Sequence, residues 1–268
     1  MNNLPPLPAR VAKRIRAKAP DCPMIRLEVS NLSDFVAAFS SVLSPNEPFW
    51  FRGHAEYTWE LKPSALRYTD PAKCEQALAL VHEFKRFAEF KLDKPPGTTE
   101  EFKWWQLAQH YGLPTRLLDW TQSAAVALYF ACQHEDKDGI VVVLNPADLN
   151  MTAARQRRVF DANADANLIA PYLNLGGAQR RNGKRTIAIH PTWNSERIII
   201  QQGAFTLHGS RAFELDFAQA PSLCYLPILS KNKPTLTIEL ERIGISEMTI
   251  FPEPEHVCSY LKRHHKLT

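Results

Sequence analysis

The chain has 268 residues, 45% of them hydrophobic and 22% charged, with a formal net charge of +4 at pH 7. That length and apolar content exclude a disordered chain and suffice for one large domain with a sizeable core, while the charge is too small for a whole-molecule field that demands a nucleic-acid partner. No apolar run approaches the roughly 20 residues that span a bilayer, and no charged-then-apolar leader opens the chain, so a cytoplasmic protein without a membrane contact is expected. The five cysteines, Cys22, Cys74, Cys132, Cys224 and Cys258, are scattered singly and read as reduced thiols. Neither they nor the histidines show the spacing of a metal site, and no metal is expected.

In chain order, a basic, Pro-rich arm comes first, with Arg10, Lys13, Arg14, Arg16 and Lys18 before any acid. Met24 to Val29 suits a short strand, and Asn31, Ser33 or Asp34 can cap a helix over Phe35 to Leu43 that ends near Pro45. Residues 1–44 are therefore taken as an arm and lead-in helix, and 45–268 as the main domain. Phe49 to Arg52 reads as a buried strand. Cys74 to Phe90 carries Leu78, Val81, Phe84, Phe87 and Phe90 at helical spacing, and Phe102 to Tyr111 reads as a second helix. Thr121 or Ser123 can cap a third helix through Cys132, after which Asp138-Gly139 turns the chain.

Short β-branched or aromatic runs follow at Ile140 to Leu144, Thr186 to Ile189, Glu196 to Ile200, Ala204 to Leu207, Thr235 to Leu240 and Met248 to Phe251, and each is expected to be a strand. Helices first and strands later point to an α+β fold with a mixed or largely antiparallel sheet. A basic insertion at about 147–185 separates two of the strands.

Three distant segments put polar residues beside apolar stretches: Phe49 to His54, His110 to Ala131, and Asn194 to Phe205. An arginine after three aromatics offers a planar, permanently charged fork for phosphate oxygens. A carboxylate such as that of Glu196 stabilises the positive charge that builds on a ribose when its glycosidic bond breaks. Thr121 and Ser123 form a Thr/Ser pair opening an apolar helix. Each residue also has a plain structural role open to it: Arg52 can pair with Asp119 or Glu56, Thr121 and Ser123 can cap a helix, and Glu196 can pair with Arg197 at an exposed edge. Gly112 and Pro114 shape a turn that can present His110, Tyr111 and Arg116 to a common pocket, with Asp119 anchoring Arg116, or can form a rigid connector.

The stretch Phe51-Arg52-Gly53, with HYGLPTRLLDWTQSAAVALYFA, QQGAF and the late IFPE, resembles the FRG domain family over about Pro45 to Leu261. A second similarity is to arginine-class ADP-ribosyltransferases. Trp50-Phe51-Arg52-Gly53 looks like their first core strand, Trp120-Thr121-Gln122-Ser123 into Ala127 to Ala131 like their Ser-Thr-Ser strand and helix, and Glu196 with Gly203 and Phe205 like their late strand opening with glutamate. Asn194 departs from the Glu or Gln often found two residues before that glutamate.

The resemblance implies a fold like that of the ADP-ribosyltransferases and NAD as the molecule consumed. Glu196, Arg52, Thr121 and Ser123 would then be catalytic, with Arg52, Gly53, His110, Tyr111, Arg116 and Gln201 binding NAD. Glu253 in FPEPE is the alternative carboxylate. The expected activity is ADP-ribosyl transfer or NAD cleavage, in a toxin or defence role held in check by a neutralising protein partner. The acceptor would be a protein or a nucleic acid, the latter reached through Arg155, Arg157, Arg158, Arg180 and Arg181. A nucleic-acid-binding or nuclease module without NAD chemistry is the competing class, resting on the same arginines, the basic arm and Tyr172.

Overall fold

The computed structural model describes residues 28–40, 43–44, 46–173, 185–192, 195–209 and 223–267. Its strands are β1 (Trp50–His54), β2 (Leu117–Thr121), β3 (Gly139–Leu144), β4 (Phe160–Asp161), β5 (Thr186–His190), β6 (Gly203–His208) and β7 (Cys224–Ile228). They form one seven-stranded sheet in the order β4-β5-β6-β2-β1-β3-β7. Only β4 and β5 run parallel; the remaining neighbours are antiparallel. With helices on its faces this is an α+β fold, as the order of the predicted elements implies.

The early helices form where caps and periodicity place them. Asn31 accepts the Asp34 amide at 2.9 Å through its side chain and opens α1 (Leu32–Ser40). Asp70 accepts the Ala72 amide at 2.9 Å, with Pro71 in the first turn, and opens α2 (Pro71–Ala88). Val81 is buried on α2, but Phe87 and Phe90 are exposed, and the side chain of Leu78 lies outside the described residues. Then come α3 (Glu101–His110) and α4 (Ala124–Cys132). Ser123 Oγ accepts the Val126 amide at 3.3 Å and is the cap of α4. Ser123→Ala should lower stability by about 1 kcal/mol, read as a shifted urea midpoint at unchanged slope.

After α5 (Pro146–Ala154) and α6 (Ala166–Leu173), three expected strands prove to be helices. Glu196–Ile200 is α7, Lys233–Arg242 is α8 and Glu247–Ile250 is α9, followed by α10 (Pro254–His264). Local helix-start signals outweigh β propensity in each case. Ser195 accepts the Ile198 amide at 3.3 Å, Pro234 stands in the first turn of α8, and Ser246 and Thr249 form a reciprocal capping box. On α8, Leu236 and Leu240 are one helical turn apart and both buried. The expected strand Met24 to Val29 falls largely on residues 24–27, outside the described residues, and Val29 is in irregular structure.

Among the described residues two large apolar cores fill the fold, beside a small cluster of Ala65 and Ala77. One gathers α1, β1, α4, β3, β7 and α8 around Trp50, Leu128, Val142 and Leu236; the other gathers α2, α3, α6, β5 and β6 around Trp105, Phe160, Ile187 and Leu207. Helix α4 presses onto β1 and β3 at two glycines. A Cβ on Gly53 would fall 1.9 Å from the Ala127 carbonyl oxygen, and one on Gly139 would fall 2.3 Å from the Ala131 carbonyl oxygen. The contact is therefore backbone against backbone, with Ala127 and Ala131 as the small residues that permit it.

Candidate active site

Where the two cores meet, a cavity of about 430 Å³ opens over the central strands β1, β2 and β6. Its size lies in the usual range for small-molecule sites, roughly 300 to 1,000 Å³. Phe51 to Ala55 come from β1 and its exit, Asp119 to Thr121 from β2, Gly203 to Phe205 from β6, and Gln106, Gln109 and His110 from α3. Ser195, Arg197 and Ile198 of the α7 region complete one wall, and Trp59, Phe130 and His134 another.

Arg52 is fixed in place by its neighbours. Its Nε donates to His54 Nε2 at 2.9 Å, and Nη1 donates to the Asp119 carbonyl and lies 4.0 Å from the Asp119 carboxylate. Burial draws its pKa down to about 10, partly opposed by the Asp119 charge. It remains a cation at neutral pH. Because His54 Nε2 accepts the Arg52 proton, that imidazole carries its own proton on Nδ1.

Asp119 is the one carboxylate among the lining residues, and its side chain is 64% exposed. It is oriented by a short relay. The Leu117 amide donates to Thr115 Oγ1 at 3.1 Å, that hydroxyl donates to Gln109 Oε1, and Gln109 Nε2 donates to Asp119 Oδ1 at 2.7 Å. The carboxylate, which can only accept, settles which end of the Gln109 amide faces it and leaves the amide oxygen for the Thr115 hydroxyl. Gln106, one turn earlier on α3, is different: it is 3% exposed and neither polar atom of its amide has a partner among the described residues.

Residues 47–139 match the family model of the FRG domain. That span is similar to the FRG domain. No curated protein and no solved structure matches it. The match is narrower than the resemblance drawn over Pro45 to Leu261, and it contributes β1, β2, α3 and α4 to the cavity while β6 and α7 lie beyond it.

Of the expected site residues, the fold brings Arg52, Gly53, His110, Thr121 and Gln201 to the cavity. Thr121 Oγ1 accepts the Ser123 amide at 2.9 Å and donates to the Gln201 carbonyl at 2.6 Å, so it ties the end of β2 to the approach to β6. Gln201 turns its amide away, donating to the Ile250 carbonyl at 3.0 Å. Gly53 of the FRG motif lines the cavity, but its lack of a side chain answers to α4.

The remaining expected residues lie elsewhere. Glu196 is exposed in the first turn of α7 and outside the lining, and β6 opens with Gly203, so Glu196 does not open the late strand as the transferase resemblance expects. Ser123 caps α4, and Tyr111 is exposed outside the cavity. Arg116 is buried to 1% exposure, lies over Trp105 and donates to the carbonyls of His208, Tyr172 and Leu173. Asp119 therefore anchors Arg52 and not Arg116. Glu253 lies 3.9 Å from Arg197 and is not a lining residue.

Two of the insertion's arginines are neutralised. Arg157 pairs with Glu47 and Asp148, and Arg158 grips Asp165 with both terminal nitrogens at 2.6 and 2.7 Å. Arg155 is exposed, and Arg180, Arg181 and Asn194 lie outside the described residues. Among the described residues no group of three or more His, Cys, Asp or Glu is placed to hold a metal ion, and no helix is long and apolar enough to cross a membrane.

Sequence reasoning missed Gln106, Gln109, Asp119 and Arg197 as site residues. One signal was present. Gln106, Gln109 and His110 recur at i, i+3 and i+4 on a helix whose other residues include Phe102, Trp104 and Trp105, which marks a polar stripe on a buried element.

Proposed function

We propose that this cavity binds a phosphorylated nucleotide, with NAD as the molecule acted on, and that the chain is an NAD-cleaving enzyme or ADP-ribosyltransferase. The observation that carries the reading is the pairing of Arg52 and Asp119 on one wall of an aromatic-lined cavity. Arg52 and Arg197 offer guanidinium groups for a pyrophosphate, and Trp59, Phe130 and Phe205 offer ring faces and edges for a base or nicotinamide. Asp119 takes the role that the resemblance gave to Glu196. Its carboxylate stabilises the cationic ribose as the bond to nicotinamide breaks and the bonding electrons pass to the ring nitrogen; water or an acceptor nucleophile then attacks the anomeric carbon.

A nucleotide sensor that binds without cleaving is the second reading. The position of Glu196 in a helix outside the lining favours it. Incubation of the full chain with NAD labelled on its adenylate phosphate decides between them. Nicotinamide release or label transfer by the wild type supports the enzyme, and binding without either supports the sensor. Arg52→Ala should weaken NAD affinity by about tenfold to a hundredfold, the usual effect of losing a charge-assisted phosphate contact. No binding of NAD by the wild type would sink both readings.

A further inference from the structure

Helix α3 presents Gln106, Gln109 and His110 to the cavity on one face, one turn apart. The two glutamines are treated differently by their surroundings. Gln109 has its oxygen bonded to the Thr115 hydroxyl and its nitrogen to Asp119, and so is fully engaged in holding the acid. Gln106 is more deeply buried, yet among the described residues both its nitrogen and its oxygen lack a partner. The Trp104 indole beside it in sequence donates instead to the Gly97 carbonyl at 3.1 Å.

A buried amide with two unmet hydrogen bonds destabilises the free protein, and a leucine or methionine would fill the same space without that penalty. A polar group held in that condition on a cavity wall is accounted for if a ligand completes its bonds. We infer that Gln106 is the specificity residue of the cavity, reading a ligand edge that carries a hydrogen-bond donor beside an acceptor. This rests on the nucleotide reading. A primary amide pairs with such an edge in a two-bond contact, and NAD contains two of them: the carboxamide of nicotinamide and the amino group with ring nitrogen of adenine. Gln106 accepts from the amino group and donates to the adjacent oxygen or ring nitrogen, while Arg52 holds the phosphates nearby.

The test is calorimetric titration of full-length wild type and Gln106→Leu with nicotinamide mononucleotide, which has the carboxamide and no adenine, and with ADP-ribose, which has adenine and no carboxamide. The variant should bind one of the two at least about tenfold more weakly than wild type and the other unchanged. Loss confined to the mononucleotide identifies the carboxamide as the edge read, and loss confined to ADP-ribose identifies adenine. The variant should also melt no lower than wild type, which a merely structural glutamine would not allow. If it fails to fold, Gln106→Met, unbranched and of similar length, is read in its place. Equal affinities of variant and wild type for both ligands overturn the inference while leaving the nucleotide reading intact. Failure of wild type to bind either ligand overturns both.

Discussion

Asp119→Asn is expected to reduce nicotinamide release by about a hundredfold or more while changing nucleotide affinity only a few-fold. The substitution is nearly isosteric, and the asparagine oxygen can still accept from Gln109 Nε2, which lies 2.7 Å from the acid. Arg52 keeps its bond to the residue 119 carbonyl, because that contact is to the backbone. What is lost is negative charge at the point where positive charge develops on the ribose. Glu196→Gln is the matching control: exposed in the first turn of α7, it should turn over NAD at the wild-type rate. Assays of nicotinamide release alongside calorimetry separate the two effects. Full loss in the Glu196 variant with an active Asp119 variant would return the catalytic role to the residue that the transferase resemblance named.

Gly53→Ala is expected to destabilise the fold by about 3 kcal/mol or more, a fall in Tm on the order of 10 °C. The added methyl would lie 1.9 Å from the Ala127 carbonyl oxygen and 2.7 Å from the Ala131 amide nitrogen. Both are backbone atoms of α4, so no side chain can rotate aside and the whole helix must lift. Lifting it opens the first core, to which α4 contributes Val126, Leu128 and Tyr129. Thermal unfolding followed by circular dichroism reads the effect directly. An unchanged melting temperature would mean that α4 does not lie against β1, and with it the placement of the cavity would fall.

The parts of the fold legible in the sequence were those with local signatures. The helical spacing from Cys74 to Phe90 and Ser123 ahead of an apolar run announce α2 and α4, and the run Gly139 to Leu144 is apolar throughout and buried along its whole length between two strands. The runs ERIII, TLTIEL and MTIF misled for a shared reason. Their β-branched residues favour strands, but that preference reflects fit to a half-buried pleated surface more than a backbone demand. A serine cap, a first-turn proline and a capping box decided for helix. Strand β7 was hidden by Pro227, which a central strand would not accept; β7 is at the edge of the sheet, where a missing donor is tolerated.

The site was legible in its arginine and less so in its acid. Arg52 stands out because a cation closes an aromatic strand. Asp119 was assigned to Arg116 by closeness in sequence, yet three residues of extended chain place α-carbons roughly 10 Å apart, and Arg116 finds its partners in carbonyls of α6 and β6. Gln106 has only the polar stripe it shares with Gln109 and His110 to mark it. Its significance lies in partners that are missing, which only coordinates can show.

The register of the sheet also bears on how this unit can be cut and recombined. Within the matched span 47–139, β1 and β2 meet at the single pair Phe51 and Thr121, whereas β1 pairs with β3 from Trp50 to His54 and β2 pairs with β6 from Leu117 to Thr121. Lys233 of α8 adds a buried ammonium that donates to the carbonyls of Ala55, Gln133 and His134 inside that span. A fragment ending at residue 139 would therefore carry the signature residues on two strands scarcely joined to each other, each with an open edge ready to recruit another chain. The stretch recognisable in sequence is thus smaller than the piece that folds, and gene fusions or truncations that respect only the former should yield aggregates in place of a transferable module.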